Sequence, residues 1–203
     1  MDTITTTVIA RRLIRTIPRE ALPASAAVDA LHMSANLKSA FRCRLTNPAL
    51  FMQVNQWCEE NDLAVQVDQE GFVCVARTIE LATKILEVDR GVEPHELTLG
   101  LLLGYPSCCC EWVARVGESN IDGLSEQMRE WLFVGEYRLI DPSGYLDGRS
   151  LICHLPCSPV CSASLAVARS ALLFVDRHRL EPGFEQWSDW FCLHRANEST
   201  SER

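Results

Sequence analysis

The apolar positions of the chain change period several times, and each change predicts an element. Between Ala24 and Arg42 small and apolar residues recur at helical spacing through Val28, Leu31 and Ala35, which predicts a helix. Asn47-Pro48 reads as an N-cap followed by proline at the first helical position. Leu50, Phe51, Val54, Trp57 and Cys58 then form one apolar face of a helix ending near Asn61. The period drops to two where Leu63, Val65 and Val67 alternate with Ala64, Gln66 and Asp68. Gln69-Glu70-Gly71 turns the chain, and Phe72–Arg77 is again rich in strand formers, so a two-stranded hairpin is predicted. A lone hairpin is marginal in water and needs helices to cover it. Thr78–Arg90 supplies one, with Ile79, Ala82, Ile85 and Leu86 facing inward and Gly91 as its stop.

Helices dominate the rest. Pro94 opens one that runs through Leu103, Gly104-Tyr105-Pro106 breaks it, and Ser107 starts another to about Val116. Leu124–Tyr137 is a further helix with Met128, Trp131 and Leu132 on one side. A loop rich in Asp, Pro and Gly spans Arg138–Arg149. Pro159–Arg179 is a long helix with Leu165, Ala168, Leu172 and Val175 inward. After Pro182-Gly183, Phe184, Trp187, Phe191 and His194 form a stripe on a last helix. The fold class expected is α+β: a mostly helical single domain with a small antiparallel β-hairpin element. Residues 1–22 read as an N-terminal arm, 23–196 as the globular domain and 197–203 as a polar tail.

Composition narrows the function classes. The chain has 203 residues and a formal net charge of −8, an acidic balance that argues against nonspecific nucleic-acid binding. The longest apolar stretch, Leu97–Tyr105, is interrupted by Thr98 and two glycines and falls far short of the ~20 residues a bilayer span requires. No nucleic-acid or membrane partner is therefore expected, and any small-molecule or protein partner is left unidentified.

Cysteine is the exceptional residue, with ten copies. No secretory signal opens the chain, so the expectation is a cytoplasmic protein with reduced thiols. Cys43, Cys58, Cys74 and Cys192 are scattered and read as small core hydrophobes. The other six form two bursts. The first is Gly104-Tyr105-Pro106-Ser107-Cys108-Cys109-Cys110-Glu111, where Ser107 reads as the N-cap and the cysteines as the first turn. The second is Cys153-His154-Leu155-Pro156-Cys157-Ser158-Pro159-Val160-Cys161, where Ser158-Pro159 repeats the cap-plus-proline pattern. Thiols at a helix N-terminus ionise more readily, because free amides and the macrodipole favour the thiolate. The thiolate is the form that ligates metals and attacks electrophiles.

Together the bursts predict a thiolate-ligated centre between two helix starts. Cys109, Cys157 and Cys161 are the core ligands, and Cys108 or His154 completes four. Successive side chains on a helix diverge by about 100°, so at most two of Cys108–Cys110 can reach one ion. An iron–sulfur cluster is placed ahead of zinc, because an anionic cluster gains from two helix ends. No C-x₂-C pair and no ferredoxin-type run is present. The protein would then be a cysteine-rich metalloprotein, an enzyme or a sulfur- or electron-handling accessory. Two alternatives stand beside it. One is a metal-free thiol enzyme with Cys109 or Cys157 as nucleophile and His154 as base, Tyr105 donating to a sulfur or substrate. The other is a zinc-stabilised binding module.

The element Leu103-Gly104-Tyr105-Pro106-Ser107-Cys108-Cys109, followed later by His154-Leu155-Pro156-Cys157-Ser158-Pro159-Val160-Cys161, resembles small prokaryotic proteins of unassigned function. Those carry Gly-Tyr-Pro-x-Cys-Cys and His-x-Pro-Cys-Ser-x-x-Cys elements. The resemblance covers about residues 95–175. It implies that the two bursts work together and that Cys110, which extends the pair to a triple, is not a ligand; it names no reaction. Of the remaining polar residues, His95 reads as a surface cap, His32 as a satisfied polar residue, and His178 as a cation at a helix C-terminus. Trp187 and Trp190 read as packing. Arg149, with Asp141 and Asp147 in the loop before the second burst, is a contact for a substrate anion.

Overall fold

The structure is a computed structural model and describes residues 12–91, 96–117, 120 and 124–178. Pro94, His95, the stripe from Phe184 to His194, Trp190, Cys192 and the polar tail lie outside the described residues. The elements run as α1 (Ser25–Ser34), β1 (Ala40–Arg44), a 3-10 turn (Pro48–Leu50), α2 (Phe51–Glu60), β2 (Ala64–Val67), β3 (Phe72–Ala76) and α3 (Ile79–Asp89). They continue with α4 (Glu96–Leu102), α5 (Ser107–Val116), α6 (Leu124–Trp131), a 3-10 turn (Tyr137–Ile140) and α7 (Ser162–His178). The class is α+β, mostly helical, with one small antiparallel sheet. Among the described residues no helix is long and apolar enough to cross a membrane.

The predicted hairpin is β2–β3, with Val65 opposite Val75 and Val67 opposite Val73. It gains a third strand that periodicity had placed in a helix. The first helix stops at Ser34, where Asn36 takes a left-handed φ of 56° and the amide of Leu37 closes back on the His32 carbonyl. Ala40–Arg44 then pairs antiparallel with β3, which becomes the central strand. Alternate residues point to opposite faces of the sheet. Phe41, Cys43, Val73 and Val75 enter the main core with Val54, Trp57 and Cys58 of α2. Ala40, Cys74 and Ala76 face Ala82, Ile85 and Leu86 of α3. Ile79, expected inward, is 44% exposed, because Thr78 caps α3 and sets its apolar face one turn later.

The arm is also more than an arm. Leu13, Ile14, Ile17, Ala21 and Leu22 are core residues, and the Trp57 indole donates to the Leu13 carbonyl at 3.2 Å. Cys43, Cys58 and Cys74 are buried, as small core hydrophobes should be. Burial raises the Cys58 and Cys74 thiols to about 12.

The corner between α4 and α5 positions the first cysteine burst. Gly104 has a φ of +81°, and a β-carbon there would lie 3.1 Å from Cβ of Lys38. Glycine is thus needed both for the turn and for the close approach. Gly100 lets α5 lie against α4, since a β-carbon on it would stand 2.6 Å from Sγ of Cys110.

Two helix starts differ from expectation. Pro106, not Ser107, is the N-cap of α5, and no side chain caps it. The long helix begins at Ser162, so Ser158-Pro159 does not open it. The Cys161 carbonyl instead accepts from the Leu165 amide and closes the first turn. Two other bounds shift. Helix α6 ends at Trp131 rather than Tyr137, and Leu165 and Leu172 are only half-buried, leaving Ala168, Ala171 and Val175 to carry the inner face of α7.

Candidate functional site

The first turn of α5 and the entry to α7 bring the two cysteine bursts together. Cys108, Cys109, Cys157 and Cys161 have all their sulfurs within 4.8 Å of one another. Three of the separations are 3.9 Å (Cys108–Cys109), 3.8 Å (Cys108–Cys161) and 3.7 Å (Cys109–Cys161). Cys109 and Cys161 are buried, and Cys108 and Cys157 are half-buried. Four thiols so placed can hold a metal ion.

Cys110 is turned away by the helical screw. Its thiol points to the Tyr105 carbonyl, 3.7 Å off, and packs over Gly100. Burial raises it to about 11.

His154 stands behind the sulfur cluster rather than in it. Its Nε2 lies 2.9 Å from Oγ of Ser164, and that oxygen lies 3.4 Å from Sγ of Cys109. Ser164 is fully buried and had no role in the sequence reading. The available signal was its place three residues after Cys161, on the same helix face. Tyr105 packs its ring 5.5 Å from that of His154, with the Lys38 ammonium 5.0 Å from the Tyr105 ring centre.

The electrostatics separate the thiols. Burial opposes ionisation of Cys161. Hydrogen bonds from the Ser164 hydroxyl and amide, and from Cys157 and Cys109, outweigh it and bring the thiol down to about 6. Cys157 is pushed up to about 11 by burial and by its contacts with Cys161 and Cys108. Burial also raises Cys109. The lowering expected at a helix start therefore appears at Cys161, through its hydrogen bonds, whereas burial raises Cys109 and Cys157.

A cavity of about 910 Å³ adjoins the cluster. Cys109, Cys153, His154, Tyr105 and Tyr145 line it, with apolar walls from Leu99, Leu103, Val113, Met128, Leu132 and Leu155. Arg42, Asp89, Glu96 and Asp141 also line it. Arg149 does not; it pairs at 2.6 Å with Asp147 on the exposed surface. His178 is buried, with its ring centre 4.4 Å from that of Phe174.

Comparison with models of known protein families, with curated proteins and with solved structures gives no match. The site must be read from its own chemistry.

A second polar group lies at the cavity wall and was not legible beforehand. Lys38 and Asp29 form an ion pair at 2.6 Å, each with a side chain 1% exposed. The Tyr145 hydroxyl donates to the other Asp29 oxygen at 2.6 Å. The Lys38 ammonium also reaches Sγ of Cys153 at 3.5 Å, and Nδ1 of His32 stands 3.8 Å from the same sulfur. Nε2 of His32 faces the Leu151 carbonyl at 3.0 Å. Burial disfavours the Lys38 charge, yet Asp29 and Cys153 outweigh it and hold the ammonium above its usual range.

His32 is lowered to about 4, first by burial and then by Lys38. Its folded value lies below the ordinary 6.5, so the folded state disfavours the proton. The neutral ring therefore stabilises fully above pH 6.5, and that stability is lost as pH falls towards 4. Chemical denaturation across this window should show a loss of about 3 kcal/mol from His32. The slope should flatten in His32→Gln.

Proposed function

We propose that this chain is a metalloprotein holding one tetrahedral ion at Cys108, Cys109, Cys157 and Cys161. The observation that carries the reading is the sulfur triangle of Cys108, Cys109 and Cys161, with sides of 3.7–3.9 Å. Zinc–thiolate bonds of about 2.3 Å place tetrahedral sulfurs about 3.8 Å apart. A cluster with four irons binds each thiolate at a different corner. A two-iron cluster splits its ligands two and two, so of any three sulfurs at least two pairs span both irons. Neither arrangement favours three mutually close sulfurs. The geometry thus supports a single ion over the iron–sulfur cluster that the sequence reading placed first.

A closed four-thiolate shell suits zinc in a structural role. It would join α5 to the entry of α7 and fix one wall of the cavity, with Ser164 and His154 as outer partners of Cys109. The function supported is a metal-stapled protein that binds a small, largely apolar molecule in that cavity.

Anaerobic purification followed by elemental and acid-labile sulfide analysis tests the reading. One zinc per chain and no sulfide are expected. Iron with inorganic sulfide would replace the single ion by a cluster, and metal-free protein would remove the centre altogether. Cys157→Ala and Cys161→Ala should each lower bound metal sharply, because three thiolates no longer close the shell. Cys43→Ala and Cys110→Ala should leave it unchanged.

A further inference from the structure

Cys153 stands apart from the four clustered sulfurs, and the groups around it are arranged for chemistry. It is 5% exposed and lines the cavity. The Leu151 carbonyl carries no hydrogen, so the His32 nitrogen facing it, Nε2, must be the donor. Nδ1 is then the unprotonated nitrogen, and it is the one facing Cys153 Sγ at 3.8 Å. On another side the Lys38 ammonium lies 3.5 Å from the sulfur. Each helper is fixed from behind. Leu151 orients His32, and Asp29, itself held by Tyr145, orients Lys38. A thiol thus has an unprotonated nitrogen in contact to take its proton, a cation to hold the resulting charge, and an anchor behind each; the resting site keeps His32 neutral, and Nδ1 holds the proton only until a leaving group takes it. The cavity beside it, about 910 Å³, has the size of a small-molecule site and reaches the surface at Leu146, which is 76% exposed.

We infer that Cys153 is the nucleophile of an acyl-transfer site, and that the cavity takes a thioester with an apolar acyl chain. The proton of Cys153 Sγ passes to Nδ1 of His32. Sγ bonds to the thioester carbonyl carbon, the bond from that carbon to the carrier sulfur breaks, and the leaving thiolate takes the proton back from Nδ1. One thioester is made and one is broken, with no change of oxidation state and no further reactant. The aliphatic walls favour an acyl chain, and a balanced exchange of this kind needs only the groups present. The inference is independent of the metal centre, since none of its four cysteines takes part.

The test incubates the purified full-length protein, metal included, with the acetyl and octanoyl thioesters of N-acetylcysteamine. Intact mass and peptide mapping are then followed over time. The expected result is one acyl group, on Cys153, with octanoyl added at least tenfold faster than acetyl, because its longer chain buries against the walls. His32→Gln keeps a donor for the Leu151 carbonyl and removes the base, and should slow acylation on the order of 10²-fold. The chain-length comparison needs no variant, so it stands even if His32→Gln fails to fold. Unmodified Cys153, acylation of Cys108 or Cys157 in its place, equal rates for the two chains, or an undiminished rate in a folded His32→Gln protein would each overturn the assignment.

Discussion

Stripping the metal with a strong chelator should lower the melting temperature by about 8–16 °C, measured by calorimetry or by the far-ultraviolet signal. An ion that binds only the folded chain stabilises it by about 4 kcal/mol when free metal is a thousandfold above its dissociation constant. For a chain of this size each kcal/mol is worth about 2–4 °C. The effect should be large because of where the ligands sit. After the 3-10 turn ending at Ile140 no regular element intervenes before α7 begins at Ser162. That connection is anchored in the core by Leu151, Ile152 and Cys153. The ion would add a second anchor at its far end, tying Cys157 and Cys161 to the first turn of α5. Protease sensitivity of the segment 154–161 should rise on chelation, while the sheet keeps its protection. Cys161→Ser should show the same loss without chelator, and chelator should then do nothing more, because both treatments remove one linkage. A melting temperature unchanged to within about 2 °C would sink the stapling role.

The parts of this fold that periodicity made legible are those whose stabilising contacts are local. Asn47 caps its turn through a bond from the Ala49 amide at 3.1 Å, and α2 buries the predicted Val54, Trp57 and Cys58. The hairpin follows from alternation and a glycine turn. Strand β1 was hidden because its five residues are defined by pairing with β3, some thirty positions away, and Asn36, the one residue that stops the helix before it, stands inside a run at helical spacing. The grouping of the two bursts was legible because six of the ten cysteines fall in two short stretches, although the side-chain caps expected at both are absent. The helical screw alone says that at most two of Cys108–Cys110 can ligate; that Cys110 is the one left out was implied by the resemblance. The surroundings of Cys153 were not legible. Lys38 and His32 lie 115 and 121 positions from it in the chain. Asp29 is a charge on the buried side of α1, among Ala26, Val28 and Ala30. Such a charge signals a buried partner, but the sequence does not say which.

Lys38→Met should cost about 3–5 kcal/mol of unfolding free energy, because it takes the cation from the buried Asp29 carboxylate and leaves it the Tyr145 hydroxyl. The methionine fills similar space, so the loss measures the missing charge rather than a cavity. Asp29→Leu combined with Lys38→Met should recover most of the loss, as replacing both partners of a buried pair by apolar groups often does. Strong coupling in that double-mutant cycle, on the order of several kcal/mol, is the expected result. A single-variant cost below about 1 kcal/mol would mean that the pair behaves as a solvated one. The double variant also separates two roles of Lys38. It should fold as well as the wild type yet lack the ammonium beside Cys153. Acylation of Cys153 should therefore slow in a protein whose stability is nearly normal, as expected if the cation serves the thiolate and not only the fold.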